Sequence, residues 1–515
     1  MSALEARGSG TQARAAAGPV ARWRARIPAL VHDTASTMAA EAVGLVGGLL
    51  FYALAARYFD PTGVGVIALV KRASGLLQPA VFLGLQTGLP RCIAAARAGS
   101  GGGGGAGPFL VAGSGILAAA VAVALGPILG LPGLTARVLL GGDGAAYLAL
   151  PLALTLVSIV VYGAVRGYYF GFLRIPRANV VQVAAVAVAP VLALALWHPS
   201  PATALVGVAL ATTVVAAAGA LPLVRHVWPA RPRAVGSAAV ELLRYSVPRM
   251  PGDLAIAGLV SAGTLWAARF ADLHTAAYLS VSQSLLNAIT AAFIPLSVVI
   301  LPRAAALVAS GDVDQIRSRL PALVKFTLVV SVFVTLQGMV FADAVLHWWL
   351  GPTYAAAAPL LRCVLAGVPF LALFFSLRGL VDAATATPYH TYNLFAALGV
   401  MIAGVVVSSL ALPPDLRPLG VAASGSVAMA VLAVLTVRVC GRLYAVGLAI
   451  RGAGVPVLAC AACGAAAVVV HGWLAGTTPL QLLAVLVLEA ALAVLVALAA
   501  YGRELLGLLR ASRAA

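Results

Sequence analysis

Charge is scarce in this chain. Only 9% of its 515 residues are Asp, Glu, Lys or Arg, against roughly 25% in a soluble globular protein, which excludes a water-facing surface over most of the molecule. Acidic residues are scarcest, 15 against 33 Lys and Arg, and Lys71 and Lys325 are the only lysines. Cysteine is sparse too: Cys92, Cys363, Cys440, Cys460 and Cys463 show no paired spacing in an outward loop, so there is no disulfide framework. Cys460-x-x-Cys463 has the spacing of a redox pair, but it lies in the apolar run VPVLACAACGAAAVVV, where small buried thiols are the simpler account. His274, His347 and His390 stand apart and offer no metal spacing. No G-K-[ST] follows the glycine run AGSGGGGGAG (98–107) and no strand precedes it, so a phosphate loop is excluded and a flexible linker remains. No outward connection is long enough to carry a catalytic domain, which argues against a membrane glycan polymerase or ligase and for a protein that is not an enzyme.

What the chain has in abundance is apolar length: 62% hydrophobic residues and a mean hydropathy of +1.04. A hydrocarbon core about 30 Å thick is crossed by a helix of roughly 20 apolar residues. Fourteen such runs can be placed, at 36–56, 64–88, 108–131, 144–165, 178–197, 202–224, 246–267, 277–301, 322–345, 355–377, 391–412, 418–437, 453–474 and 479–501. With the N-terminus in the cytosol, the inward tail and loops collect 24 of the 33 Lys and Arg residues; outward loops hold Arg57, Arg137, Arg269 and Arg417, and Lys71, Arg72, Arg249, Lys325 and Arg362 fall within or beside spans. That asymmetry is the positive-inside pattern. It predicts both termini in the cytosol and accounts for the net charge of +18 without nucleic acid, since the charges form no single patch. The tail ending ARWRARIPAL lacks an A-x-A-like cleavage site before a short apolar core and reads as a retained basic anchor.

The chain also repeats itself. AARYFD (55–60) returns as AARFAD (267–272), LPR (89–91) as LPR (301–303), Arg166-Gly167 as Arg378-Gly379, and Pro176 as Pro388, all at an offset of 212; Met38 and Glu41 map onto Met250 and Asp253. Arg, Pro and acidic residues are rare enough here that several matches on one offset indicate a six-span duplication. Six is even, so both copies enter the membrane in the same direction and their twofold axis should follow the membrane normal. The expected architecture is all-α: a basic tail (1–33), a first lobe of six spans (34–224), a cytosolic linker (225–244), a second lobe of six (245–440), two appended helices (441–503) and a cytosolic tail (504–515).

With the segments YFDPTGVGVIALVKRASGLLQPAVFLGLQTGLPRCIA, YSVPRMPGDLAIAGLVSAGTLWAARFAD and LGPTYAAAAPLLRCVLAG, this organisation resembles the polysaccharide transporter branch of the multidrug/oligosaccharidyl-lipid/polysaccharide (MOP) exporter superfamily. The resemblance runs from about 34 to 440. It implies a flippase for undecaprenyl-pyrophosphate-linked sugars, working by alternating access of two lobes. The alternatives are a drug/cation antiporter of the same superfamily, which would be expected to carry cavity carboxylates, and a lipid II flippase.

Such a transporter must carry pyrophosphate and glycan across hydrocarbon, and a cation in a polar cavity lowers that barrier. Lys71, Ser74, Gln78 and Gln86 recur at i, i+3, i+7 and i+15 within one helical stripe, and Gln283, Asn287 and Thr290 are offered by the equivalent helix of the second lobe. A Lys or Arg at the centre of a span costs about 2.5 to 3.5 kcal/mol on insertion scales and usually faces a cavity. Lys71 is therefore the leading substrate contact, with Arg72 either pairing with a neighbour or snorkelling, and Arg249 and Arg362 as further candidates. The competing account of Lys71 is a salt bridge that holds the bundle together. Glu41 and Asp253, related by the repeat, are candidates for proton or sodium coupling; the competing account is a structural pair with a nearby cation, for Asp253 with Arg249 one turn away. No cofactor or metal is expected. The expected partners are the lipid-linked saccharide and membrane lipids, with glycan-assembly proteins as a further class. The Arg-dominated basic set and the alanine richness suggest a high-GC bacterium, and so the bacterial plasma (inner) membrane.

Overall fold

The repeated AAR-aromatic-x-D segments end one helix and start the next. Asp60 accepts a hydrogen bond from the backbone N–H of Gly63 at 2.8 Å, capping a helix whose first residue is Pro61, and Asp272 does the same for Thr275 at 2.7 Å. A side-chain acceptor here satisfies one of the orphan donors of a helix N-terminus, and the two caps stand 212 residues apart, as the sequence repeat requires.

The computed structural model describes residues 19–99, 105–224, 232–294, 297, 300, 304, 307–308, 310, 312–385 and 387–446. In chain order the helices are α1 (Pro19–Tyr58), α2 (Pro61–Phe82), α3 (Leu85–Gly99), α4 (Gly107–Gly130), α5 (Pro132–Leu139), α6 (Ala149–Gly171), α7 (Ile175–Gln182), α8 (Ala189–Leu196) and α9 (Pro201–Val224) in the first half. The second half begins with α10 (Pro232–Ser246), α11 (Met250–Phe270), α12 (Leu273–Ala291), α13 (Val313–Val340) and α14 (Ala342–Leu350), and continues with α15 (Ala358–Leu365), α16 (Val368–Ala384), α17 (Tyr389–Ala411) and α18 (Arg417–Tyr444). There is no strand among the described residues. The sequence spans at 453–474 and 479–501, the Cys460/Cys463 pair and the second LPR all lie outside them.

Nine of the described helical segments are long and apolar enough to cross a membrane, or ten if the bent pair Pro352–Leu365 and Val368–Ala384 is one span. Side chains such as Val123, Val214 and Leu410 project outward from these helices, as lipid-facing residues should. The fourteen predicted spans are therefore not all matched. Helices α11 and α12, where the sequence predicts spans seven and eight, are not among the nine, because they carry Asp253 and Arg269, and Gln283 and Asn287, respectively. They pack inward instead, both against α2.

Two further departures have local causes. The predicted continuous span 64–88 breaks after Phe82, where Leu83 and Gly84 take left-handed φ of 51° and 75°. At Gly84 a Cβ would also stand 2.1 Å from the carbonyl oxygen of Ser246, so glycine is needed twice over. The linker 225–244 is helical over its second half, as α10, which packs on α3 and α4.

The halves meet at three levels. Near the Asp60 end, a Cβ at Gly65 would stand 2.0 Å from the oxygen of Leu273, and Arg269 donates to the oxygen of Gly141 at 3.2 Å. At mid-helix, Arg72 donates through Nε to Ser280 Oγ (3.3 Å) and through Nη2 to Ser280 O (3.2 Å). At the opposite end, Ser246 rests on Gly84 and Gly88. The two lobes touch at all three levels among the described residues.

Candidate functional site

Helix α2 positions the central cation. At 1.5 Å rise per residue, Lys71 lies about 15 Å from the Pro61 end, near the middle of a bilayer core about 30 Å thick. Its ammonium sits 4.4 Å from the centroid of the Phe51 ring and 4.9 Å from that of Tyr52, a cation–π arrangement. No carboxylate lies within 4 Å of it among the described residues. The salt-bridge account of Lys71 thus finds no acidic partner here.

Lys71 opens onto a cavity of about 510 Å³ that also takes in Gln78, Gln86, Thr155, Tyr162 and Arg166. Every lining residue belongs to the first lobe. Gln86 reaches it from α3 across the Leu83–Gly84 break, so the stripe expected on one helix is shared by two. The far wall includes Ala185, Val186 and Pro190, on and just after a π-helical stretch, Val183–Val188. Within the walls, Arg166 Nε and Thr155 Oγ1 are buried without a hydrogen-bond partner.

The remaining candidates are placed elsewhere. Ser74 turns back to the carbonyl of Val70. Arg72 points away from the cavity, into the lobe interface at Ser280, where Tyr52 OH also meets Ser280 Oγ at 3.2 Å. Gln283 donates to Asn287 Oδ1 at 3.3 Å on α12, and neither lines the cavity; Thr290 bonds its own helix at Leu286 O. The cavity expected between the lobes, with glutamines from both, is here a pocket of one lobe. Arg362 binds Met339 O at 2.9 Å and pairs with Asp343 at 3.2 Å. Arg249 donates to Tyr245 O at 2.6 Å and stacks on the Tyr245 ring, so it does not pair with Asp253 as the i, i+4 spacing allowed.

The two acids have found a different kind of partner. Glu41 pairs with Arg166 at 2.5 Å, while the cation acting on Asp253 is Arg378. Arg378 is Arg166 displaced by 212, and Asp253 is Glu41 displaced by 212, so the repeat sets an acid and an arginine at matching positions in both copies, joined as an ion pair only in the first among the described residues. Sequence reasoning used both arginines to find the repeat and missed their role, although one offset joining an acid and an arginine in each copy was the available signal. Arg378 is also 3.7 Å from Asp382, which His390 approaches at 3.2 Å. No group of three or more His, Cys, Asp or Glu that could hold a metal ion occurs among the described residues.

Comparison with known proteins agrees with this architecture. The structure is similar to the lipid II flippase MurJ in an inward closed conformation, with TM-score 0.68 and 13% identity over 91% of this chain and 99% of that one. It is similar to an inward-facing multidrug resistance MATE family transporter of the MOP superfamily, with TM-score 0.58 and 17% identity over 77% and 95%. A MOP superfamily transporter from Pyrococcus furiosus, described as having a binding pocket of reverse polarity, matches with TM-score 0.50 and 15% identity over 81% and 96%. At such identities the likeness is one of fold. No curated protein matches the chain in sequence. The profile of the family described as polysaccharide biosynthesis protein matches residues 30–308, more than half of the sequence, and the chain, a multi-pass membrane protein of MurJ- and MATE-like fold, belongs to that family.

Proposed function

We propose that the chain is a flippase that moves a pyrophosphate-linked saccharide from the inner to the outer leaflet of a bacterial plasma membrane by alternating access of its two lobes. The observation that carries this reading is Lys71: a mid-membrane ammonium in a largely apolar cavity that Gln78, Gln86, Thr155 and Ser158 also line, with aromatic faces in place of a carboxylate. In a partly desolvated site an opposite charge is attracted far more strongly than in water, and a doubly charged pyrophosphate supplies the missing counter-charge. Arg166, ion-paired with Glu41, adds a second cation to the wall of the same cavity. The lipid tail stays in the bilayer while the headgroup passes through the cavity.

A drug/cation antiporter fits less well, since a cavity cation without a neighbouring acid repels a cationic drug. A lipid II flippase differs from the proposal in the headgroup carried beyond the pyrophosphate. The Glu41–Arg166 pair supports proton or sodium coupling, because neutralising Glu41 frees Arg166, and Asp253 holds the matching position in the second lobe. The positive-inside rule supports a cytosolic location for the arginine-rich face, which includes Arg91, Arg97, Arg174 and Arg244.

The test is a pair of assays on one preparation: outward appearance of a labelled lipid-linked saccharide in vesicles, and efflux of a cationic dye. Flipping without dye efflux is the expected result. Dye efflux without flipping replaces the flippase with the antiporter.

A further inference from the structure

A second pocket, of about 330 Å³, lies on the arginine-rich face and is lined by Arg91, Cys92, Ala95, Glu241, Arg244 and Tyr245. Helix α3 separates it from the first-lobe cavity: Gln86, Thr87 and Pro90 line the cavity, while Arg91, Cys92 and Ala95 line the pocket. The Tyr245 ring is gripped by two guanidiniums, Arg91 at 3.9 Å and Arg249 at 3.8 Å from its centroid, so two like charges from different lobes are held close together. Among the described residues no carboxylate lies within ion-pair distance of Arg91, Arg244 or Arg249, although Glu241 shares the pocket wall. All three arginines are exposed; Arg91 and Arg244 line the pocket, while Arg249 stands outside its wall and joins the group through the Tyr245 ring.

We propose that Arg91, Arg244 and Arg249, arranged about Tyr245, form a loading site for a phosphate-bearing lipid headgroup, occupied before the headgroup passes around α3 into the cavity. Guanidinium forks match phosphate oxygens in geometry as well as charge, and an anion held by Arg91 and Arg244 beside the Tyr245 ring offsets the repulsion between Arg91 and Arg249. Glu241 lowers the net positive charge of the pocket, which favours release over trapping and suits a site that must hand its ligand on. The site joins the lobes at the level where Ser246 seats on Gly84 and Gly88, so occupancy and closure of this face are coupled. The inference rests on the flippase reading for its ligand, but its chemistry, phosphate on arginine, is independent of transport.

The test titrates inorganic pyrophosphate into the full chain in phosphatidylcholine nanodiscs at low and high salt. A Lys71→Gln background weakens the cavity and leaves the pocket. In that background we expect salt-sensitive binding to persist, Arg91→Gln with Arg249→Gln to weaken it at least tenfold, and Arg91→Lys with Arg249→Lys to retain part of it, which shows that the fold survives. Loss of all binding in Lys71→Gln alone, or unchanged binding in the double Gln variant, overturns the proposal. Repeating the titration with phosphatidylglycerol in the nanodisc separates the sources: tenfold competition assigns the site to bilayer phosphates, and undiminished binding assigns it to pyrophosphate. Binding that behaves as expected in a protein that flips nothing keeps the phosphate site and overturns both the loading role and the flippase.

Discussion

Gly65 offers the sharpest perturbation of the alternating-access account. Adding a single methyl there, Gly65→Ala, places a Cβ 2.0 Å from the carbonyl oxygen of Leu273 and 2.8 Å from its carbonyl carbon. Both are backbone atoms at the start of a capped helix, so neither can rotate away, and ordinary contact requires α2 and α12 to part by more than an ångström. Overpacking of this kind typically costs about 1 to 3 kcal/mol. If that cost falls only on states with the outer face closed, the population shifts toward outward opening by about 5- to 150-fold. Gly84→Ala makes the mirrored clash with Ser246 at 2.1 Å, with a further cost of about 1 to 2 kcal/mol for a left-handed alanine, and favours inward opening. Electron–electron resonance distances report both in a cysteine-free background, with Val138→Cys and Leu416→Cys for the outer face and Leu173→Cys and Tyr392→Cys for the inner. We expect Gly65→Ala to lengthen only the outer distance and Gly84→Ala only the inner. Unchanged distances in folded, monodisperse protein, or lengthening of the same pair by both variants, would refute the reasoning.

Glu41→Gln and Asp253→Asn should each weaken transport driven by a proton or sodium gradient in proteoliposomes, and a charge swap of Glu41 with Arg166 should restore folding but not coupling; wild-type gradient response in both acid variants makes the acids purely structural. Burial, and to a lesser extent the Glu241 carboxylate, push the Cys92 thiol above its ordinary pKa. The thiolate is therefore rarer at neutral pH than in a free cysteine, and the midpoint of maleimide labelling against pH should lie higher, moving down in Glu241→Gln; a free-thiol profile contradicts this placement.

Much of the architecture was legible in the sequence because it depends on period and spacing. Apolar length gave the helices, and scarce residues on one offset gave the repeat, down to the Asp60 and Asp272 caps. The break at Leu83–Gly84 was hidden, since a leucine with positive φ has no signature and Gly84 looks like any glycine of an apolar run. Lys71, Gln78 and Gln86 were found by polarity inside a hydrophobic stripe, and they share one cavity. Gln283 and Asn287 carry the same signal but bond each other, because which faces meet across the lobes depends on packing and conformational state that one-dimensional period cannot encode. Arg72 shows the same limit: it is adjacent to Lys71 in sequence, and the 100° helical step sends it to Ser280 instead of the cavity.

The central claim is that Lys71 holds the pyrophosphate during passage, and the most direct measurement is the rate at which a labelled, pyrophosphate-linked saccharide appears in the outer leaflet of vesicles at matched expression. Lys71→Ala should abolish most of that flux, and Lys71→Arg, which keeps the charge and alters its geometry, should retain part. Cationic dye efflux, if any is present, should be unchanged or increased in Lys71→Ala because repulsion falls. Wild-type flux of the saccharide in Lys71→Ala would contradict the account.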